Sequence, residues 1–173
     1  MALKIFVYTL LVFSGLFLIG DVQNKEEKQI TNDIALLSFK NATMYTLTED
    51  NISRVVYAKE VYRYKNRDIM YNAKIILTKA DTKITDVIKA DIIVKRADKY
   101  HFTNNASFQR ENYLFIKSDE FLYDASKDII SNTIDYSGYY YNNTLKGKSF
   151  YFNNTSSIFR SKAVHFELES KNN

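Results

Sequence analysis

The feature that most constrains this chain is a spaced signature that recurs from about residue 55 to the C-terminus. Each copy has a small residue, an apolar residue three positions on, and usually another two beyond that. The copies read Ala58–Val61, Ala73–Ile76, Ala90–Ile93, Ser118–Phe121–Tyr123, Ser131–Ile134–Tyr136, Gly147–Phe150–Phe152 and Ser161–Val164–Phe166. Ala106–Phe108 reads as a degraded copy in the long interval between Ala90 and Ser118. The register slips by a few residues from copy to copy but keeps an internal period of two. That pattern predicts repeated strands joined by variable turns, a β-architecture laid down rung by rung.

The repeat also assigns faces. Counting the small residue as zero, positions +3 and +5 share one face, with Phe121/Tyr123, Ile134/Tyr136, Phe150/Phe152 and Val164/Phe166. The opposite face carries Glu120/Leu122, Thr133/Asp135, Ser149/Tyr151 and Ala163/His165, the alternation of a sheet with one wet side. In the earlier copies position +5 is Arg63, Thr78 or Lys95, which would sit nearer a mouth or an end. Two structures fit such a face: a sealed sandwich core, or an open apolar trough.

Twelve Phe and 14 Tyr with no Trp and no Pro suit pleated surfaces. Four glycines are few, so the turns are expected to run on Asn, Asp, Ser and Lys, as at Asn104-Asn105, Asn142-Asn143 and Asn153-Asn154. Strands are expected over 34–48, 52–57, 61–64, 69–77, 100–103, 113–117, 120–124, 129–141, 149–153 and 163–169. The segment around Ile84, Val87, Ile88 and Ile92 also fits a helix face. Its Ile-Ile-Val run and the repeat at Ala90–Ile93 favour a strand.

Residues Ile5–Gly20 carry no charge, follow Lys4, and precede a polar stretch. As a helix these 16 residues cover roughly 24 Å, short for a bilayer but sufficient with local thinning. The alternative is a cleaved signal peptide, but a cut after Gly20 would place Leu18 at −3, where a small residue is wanted. The expected organisation is therefore a transmembrane anchor over 1–21, a linker over 22–33, one β-domain over 34–169 and a tail over 170–173. Lys4 favours a cytoplasmic N-terminus.

Chemistry-bearing patterns are sparse. The absence of Cys excludes disulfides, thiolate metal sites, a cysteine nucleophile and a lipoprotein anchor. His101 and His165 lack a metal-ligand partner at helical spacing, no serine lies in Gly-x-Ser-x-Gly, and no glycine-rich phosphate loop exists. No enzyme, cofactor or metal is expected. The net charge of +4 shows no dense basic run of the kind that marks nucleic-acid binding. Glu49 two residues before the sequon Asn51-Ile52-Ser53 matches the extended acceptor form of some bacterial oligosaccharyltransferases, a match that an Asn-rich chain also produces by chance.

With these parts placed, the chain resembles the LptC family, bitopic inner-membrane components of lipopolysaccharide export that share a β-fold with LptA and the OstA-like domain. The resemblance lies in the order of parts and in Leu122-Tyr123-Asp124, Ile134-Asp135-Tyr136-Ser137-Gly138, Leu145-Lys146-Gly147 and Phe159-Arg160-Ser161-Lys162. It departs where the family's few glycines are replaced by Ser and Ala. It implies an all-β fold, a twisted, boat-like β-jellyroll of two antiparallel sheets behind a single N-terminal transmembrane helix. The inner membrane would hold that helix, with the C-terminal domain in the periplasm. It also implies that Ile76, Ile93, Phe121, Tyr123, Ile134, Tyr136, Phe150, Phe152, Val164 and Phe166 line a trough for lipopolysaccharide acyl chains. Lipid would arrive from an LptB/LptF/LptG ABC transporter and leave to an LptA-like periplasmic bridge. The last strand, with Ala163, Val164, His165, Phe166, Glu167 and Leu168, is the expected docking edge, and Gly138 and Gly147 are secondary partner-binding candidates. Two other readings remain open: an anchored structural or adhesive β-repeat protein with a closed core, and a secreted LptA-like bridge lacking the first 20 or so residues.

Overall fold

The computed structural model describes residues 34–47, 52–78 and 84–168. The expected anchor, the linker, the tail and Asn51 lie outside these residues. Among the described residues every regular element is a strand, and no helix is long and apolar enough to cross a membrane.

Twelve strands follow in chain order: β1 (Leu37–Leu47), β2 (Ile52–Arg63), β3 (Asp68–Thr78), β4 (Thr85–Arg96), β5 (Lys99–Arg110), β6 (Leu114–Asp124), β7 (Ile129–Asn132), β8 (Tyr136–Tyr140), β9 (Asn143–Gly147), β10 (Ser149–Asn153), β11 (Ile158–Lys162) and β12 (His165–Glu167). The ambiguous segment is strand β4. Two pairs of expected strands merge into β2 and β6, the expected span 129–141 divides into β7 and β8, and β9 emerges as a strand of its own.

The first six strands are long and form an antiparallel meander in sequence order. Each crosses a row of small residues: Ala42 pairs with Ala58, Ala58 with Ala73, Ala73 with Ala90, and Ala106 with Ser118. Ala106 is a full member of this row and is completely buried. The ladder is interrupted beside the row, and Asn41, Asn72, Asn104 and Asn105 adopt positive φ there. Asn tolerates the left-handed region better than most residues, so it supplies the local bend. Asn104-Asn105, expected as a turn, is thus a bulge inside β5, and Asp119-Glu120 lies at the bend inside β6.

The bend folds the sheet into two layers. Beyond it, β6 splits its partners: Leu114–Ser118 pairs with β8, and Leu122–Asp124 pairs with β7. One arm continues as β7-β10-β11 (the front layer), the other as β8-β9-β12 (the back layer). The layers face each other closely. Arg54 on β2 donates to the Tyr100 hydroxyl on β5 at 2.7 Å, although a flat sheet would separate those strands by roughly 14 Å. Ile75, Ile88, Ile93, Phe102, Phe108 and Ile116 fill the space between and are fully buried. The all-β antiparallel architecture that the resemblance implies is observed, as one 12-stranded sheet bent into two layers and not as two separate sheets.

Among the described residues ten non-glycine residues have positive φ and no glycine does. The turns therefore place Ala97, Glu111, Asp128, Tyr141 and Ser157 in left-handed backbone, of which only Asp and Ser belong to the expected turn set.

Candidate functional site

Six of the ten expected trough residues point between the layers and are buried: Ile93, Phe121, Tyr123, Tyr136, Phe150 and Phe152. Their aromatic rings interlock. Phe150 lies 5.4 Å from Phe121 and 5.4 Å from Tyr136, and Phe152 lies 5.3 Å from Phe108, all as ring-centroid distances. This stretch of the inner face is packed, not open.

Two of the ten do not share that face. Ile76 is half-buried on the other side of β3, whose inner face runs Ala73, Ile75, Leu77. Antiparallel neighbours cross the bend from opposite directions. The ladder break therefore follows the small residue on β2, β4 and β6 but precedes it on β3 and β5, which reverses the three-residue offset. Ile134 is exposed in the crossover between β7 and β8, and its carbonyl accepts a hydrogen bond from the Asn132 side chain at 2.9 Å.

Val164 and Phe166 are 48% and 43% exposed, yet both line a strongly aromatic cavity at the C-terminal end of the domain. Its volume is about 710 Å³, within the range of roughly 300–1,000 Å³ usual for small-molecule sites. Leu114, Leu145 and Phe152 form its floor, and Tyr113, Tyr140, Tyr141 and Phe159 its aromatic walls. Tyr113 stacks on Tyr141 at 5.5 Å and meets Tyr140 edge-on at 6.0 Å. Sequence periodicity missed these walls because Tyr113 and Tyr141 sit in turns, outside the strand alternation. The run Tyr139-Tyr140-Tyr141 was the available signal, since three consecutive tyrosines at a turn exceed what a turn requires.

The cavity exists because the two arms separate. Among the described residues β11 hydrogen-bonds only to β10, and β12 only to β9, so each layer ends in an edge strand. The last strand is shorter than expected, and all of its residues are exposed. Ala163 turns the chain from one layer to the other with positive φ. Near the bend the layers are tied by Tyr136, whose hydroxyl donates to Ser161 Oγ at 2.6 Å while Ser161 donates to the Ser149 carbonyl at 2.7 Å. Burial raises the Tyr136 pKa and the Ser161 hydrogen bond opposes that shift.

The two glycine candidates serve internal contacts. A Cβ on Gly147 would stand 2.7 Å from the Tyr136 ring and 2.8 Å from Ser161 Oγ, so this glycine makes room for that tie. A Cβ on Gly138 would overlap the Phe115 carbonyl oxygen of β6. Their close approaches are to this chain's own strands, which accounts for both glycines without a partner.

Charged groups brace the layers from several sides. Arg110 and Asp86 form a fully buried bidentate pair at 2.6 and 2.7 Å. Arg110 also donates to Ser157 Oγ at 3.0 Å and lies 4.5 Å over the Phe152 ring, bracing two residues that line the cavity. Arg54 sits over both Tyr100 and Tyr123. Burial pushes both tyrosine hydroxyls upward in pKa, and Arg54 partly offsets this. The histidines each meet one carboxylate, His101 with Glu120 at 3.3 Å and His165 with Glu167 at 2.9 Å.

No family model matches the chain, and no curated protein matches it. Among solved structures, it is similar to the crystal structure of LptH, the LptA-homologous periplasmic component of the lipopolysaccharide transport device of Pseudomonas aeruginosa. The identity is 9% and the TM-score 0.39, over 78% of this chain and 94% of that one.

Proposed function

We propose that this chain is an LptC-like component of lipopolysaccharide export, which takes acyl chains into the aromatic cavity between its diverging arms and hands them to a periplasmic bridge protein. The observation that carries the reading is the cavity itself, about 710 Å³, aromatic-walled and flanked by two edge strands. Each methylene buried there contributes about 0.8 kcal/mol, so ten methylenes gain about 8 kcal/mol. Edge strands offer unpaired backbone groups to an added strand. At the C-terminal end β11 and β12 suit the LptA-like bridge. At the other edge β1, with exposed Leu37, Phe39, Tyr45 and Leu47, suits the LptF/LptG side. The anchor over 1–21 and the periplasmic placement belong to the same proposal, and LptB would supply the ATP hydrolysis.

Photo-crosslinking residues placed at Val164, Phe166 and Tyr141 test it. In cells these positions should capture lipopolysaccharide. Leu122 and Tyr151 are similarly exposed but outward-facing, and should capture little. Equal capture at both sets, or none at the cavity set, refutes the reading.

A second reading is favoured by the packed interior around Phe102, Phe108 and Phe121: an anchored structural β-protein with a closed core and no lipid. It predicts that purified full-length protein carries no co-purifying lipopolysaccharide.

A further inference from the structure

We infer that the sheet margin made by the β2–β3 and β4–β5 turns docks on an anionic membrane surface. The two turns are neighbours: Arg63 pairs with Asp68 across β2–β3, and Asp68 with Lys95 across β3–β4. Between 63–68 and 95–99 they carry Arg63, Lys65, Arg67, Lys95, Arg96 and Lys99 against Asp68 and Asp98. Six cations less two carboxylates leave a local excess of four. That equals the net charge of the entire chain, +4, so the remaining residues balance to zero. The next turn along the margin, where Asp124 pairs with Lys99, adds Asp124, Lys127 and Asp128, so the margin as a whole keeps an excess of three. Residues of both turns line a concavity of about 360 Å³ there.

Charge alone would suit any polyanion. The second observation is apolar. Ile34 is 76% and Leu36 65% exposed, and Leu37 is half exposed. Leu36 N donates to the Arg63 carbonyl at 2.7 Å, which fixes these side chains' backbone beside the basic turns. Tyr64, under the Arg67 guanidinium at 4.7 Å, adds an amphipathic ring. Cations next to exposed aliphatics and a tyrosine form the composition that binds at a headgroup boundary. Residues 22–33 span at most roughly 43 Å, so this margin stays within reach of any bilayer that holds residues 5–20. The inference does not depend on a lipid cavity, and its test does not read one.

The chain has no cysteine, so Asn66→Cys on the full-length protein accepts a single environment-sensitive fluorophore. Asp119→Cys, at the bend and far from this margin along the strands, is the control site. In vesicles of phosphatidylcholine with phosphatidylglycerol, the probe at position 66 should shift to the blue. In phosphatidylcholine alone it should not, even where an anchor retains the protein. The shift should fade as salt shortens the Debye length from about 8 Å to about 3 Å. Lys65→Glu with Lys99→Glu cancels the excess of four, and both side chains are exposed, so folding is preserved. Each lysine near an anionic surface contributes roughly fivefold in partition, so loss of the two lysines alone should weaken the response about 25-fold, and the two added carboxylates weaken it further. Equal shifts in both lipid compositions, an equal shift at position 119, or no shift in anionic vesicles overturns the inference. Displacement from anionic vesicles by heparin at equal charge concentration would overturn it in favour of a soluble polyanion.

Discussion

Arg110→Met is the most demanding test of how this domain is held together. Arg110 is 0% and Asp86 1% exposed, and two charge-assisted hydrogen bonds of 2.6 and 2.7 Å join them. Methionine keeps most of the stem volume but leaves the Asp86 carboxylate buried without its guanidinium. Removing one partner of a buried pair costs about 3–5 kcal/mol, and the Ser157 hydrogen bond and the contact over Phe152 are lost as well. At roughly 2–4 °C per kcal/mol for a chain of this size, the melting temperature should fall by about 10 °C or more. The control is the double variant Arg110→Met/Asp86→Leu. An apolar replacement of both charges is commonly neutral or stabilising, so the double variant should recover most of the loss. Denaturant titration followed by circular dichroism reads both. A single variant costing less than about 1 kcal/mol would show that the pair is not the clamp its geometry indicates. A double variant as unstable as the single would show that packing, not the stranded carboxylate, sets the cost.

Three further outcomes follow from local geometry. Gly138→Ala drives a methyl into the Phe115 carbonyl and should break the β6–β8 pairing, with loss of hydrogen-exchange protection across β8 and β9. Ala97→Gly relieves a positive-φ alanine at φ 49° in a two-residue hairpin turn, where glycine is the usual occupant; it should raise stability by about 0.5–1 kcal/mol in a denaturant titration. Tyr100 and Tyr123 have folded-state pKa values raised above the ordinary value by burial. Their contribution to stability is therefore complete below about pH 10 and is lost as pH rises through the folded-state values. Tyrosinate absorbance should then appear together with unfolding, and independent titration of the two hydroxyls in a folded domain would contradict this.

Periodicity carried the strand content because its cause is local. A strand with one buried face must alternate, and Phe121/Tyr123 and Phe150/Phe152 alternate against Glu120, Leu122 and Tyr151. It failed where geometry depends on a neighbour. Ile76 was assigned to the wrong face because the offset from a small residue to the next inward residue changes sign with strand direction, which the spacing does not encode. Ala106 looked degraded because the bulge at Asn104-Asn105 displaces its strand partners, yet it occupies the centre of the small-residue row. The Arg110–Asp86 pair lies 24 residues apart in sequence and had no short-range signature.

The same row of small residues explains why the opening is at one end. While every strand passes through the bend, each layer's half-strand is covalently tied to its counterpart, and the gap between layers is fixed by what fills it: Ile75, Ile88, Phe102, Phe108. After β6 the strands are short and belong to one layer each, and the chain crosses between the arms at 133–135, at Lys148 and at Ala163, all beside the bend, so nothing covalent sets the spacing farther out. The Tyr136–Ser161 hydrogen bond holds the arms at the bend, and the distance beyond it is free to be set by a ligand or an added strand. A partner strand on β11 or β12 would extend one layer past this chain's end and lengthen the aromatic wall without disturbing the packed middle. Lipid reception and partner docking are therefore expected to be coupled at Val164 and Phe166, which belong to the cavity and to the terminal segment at once.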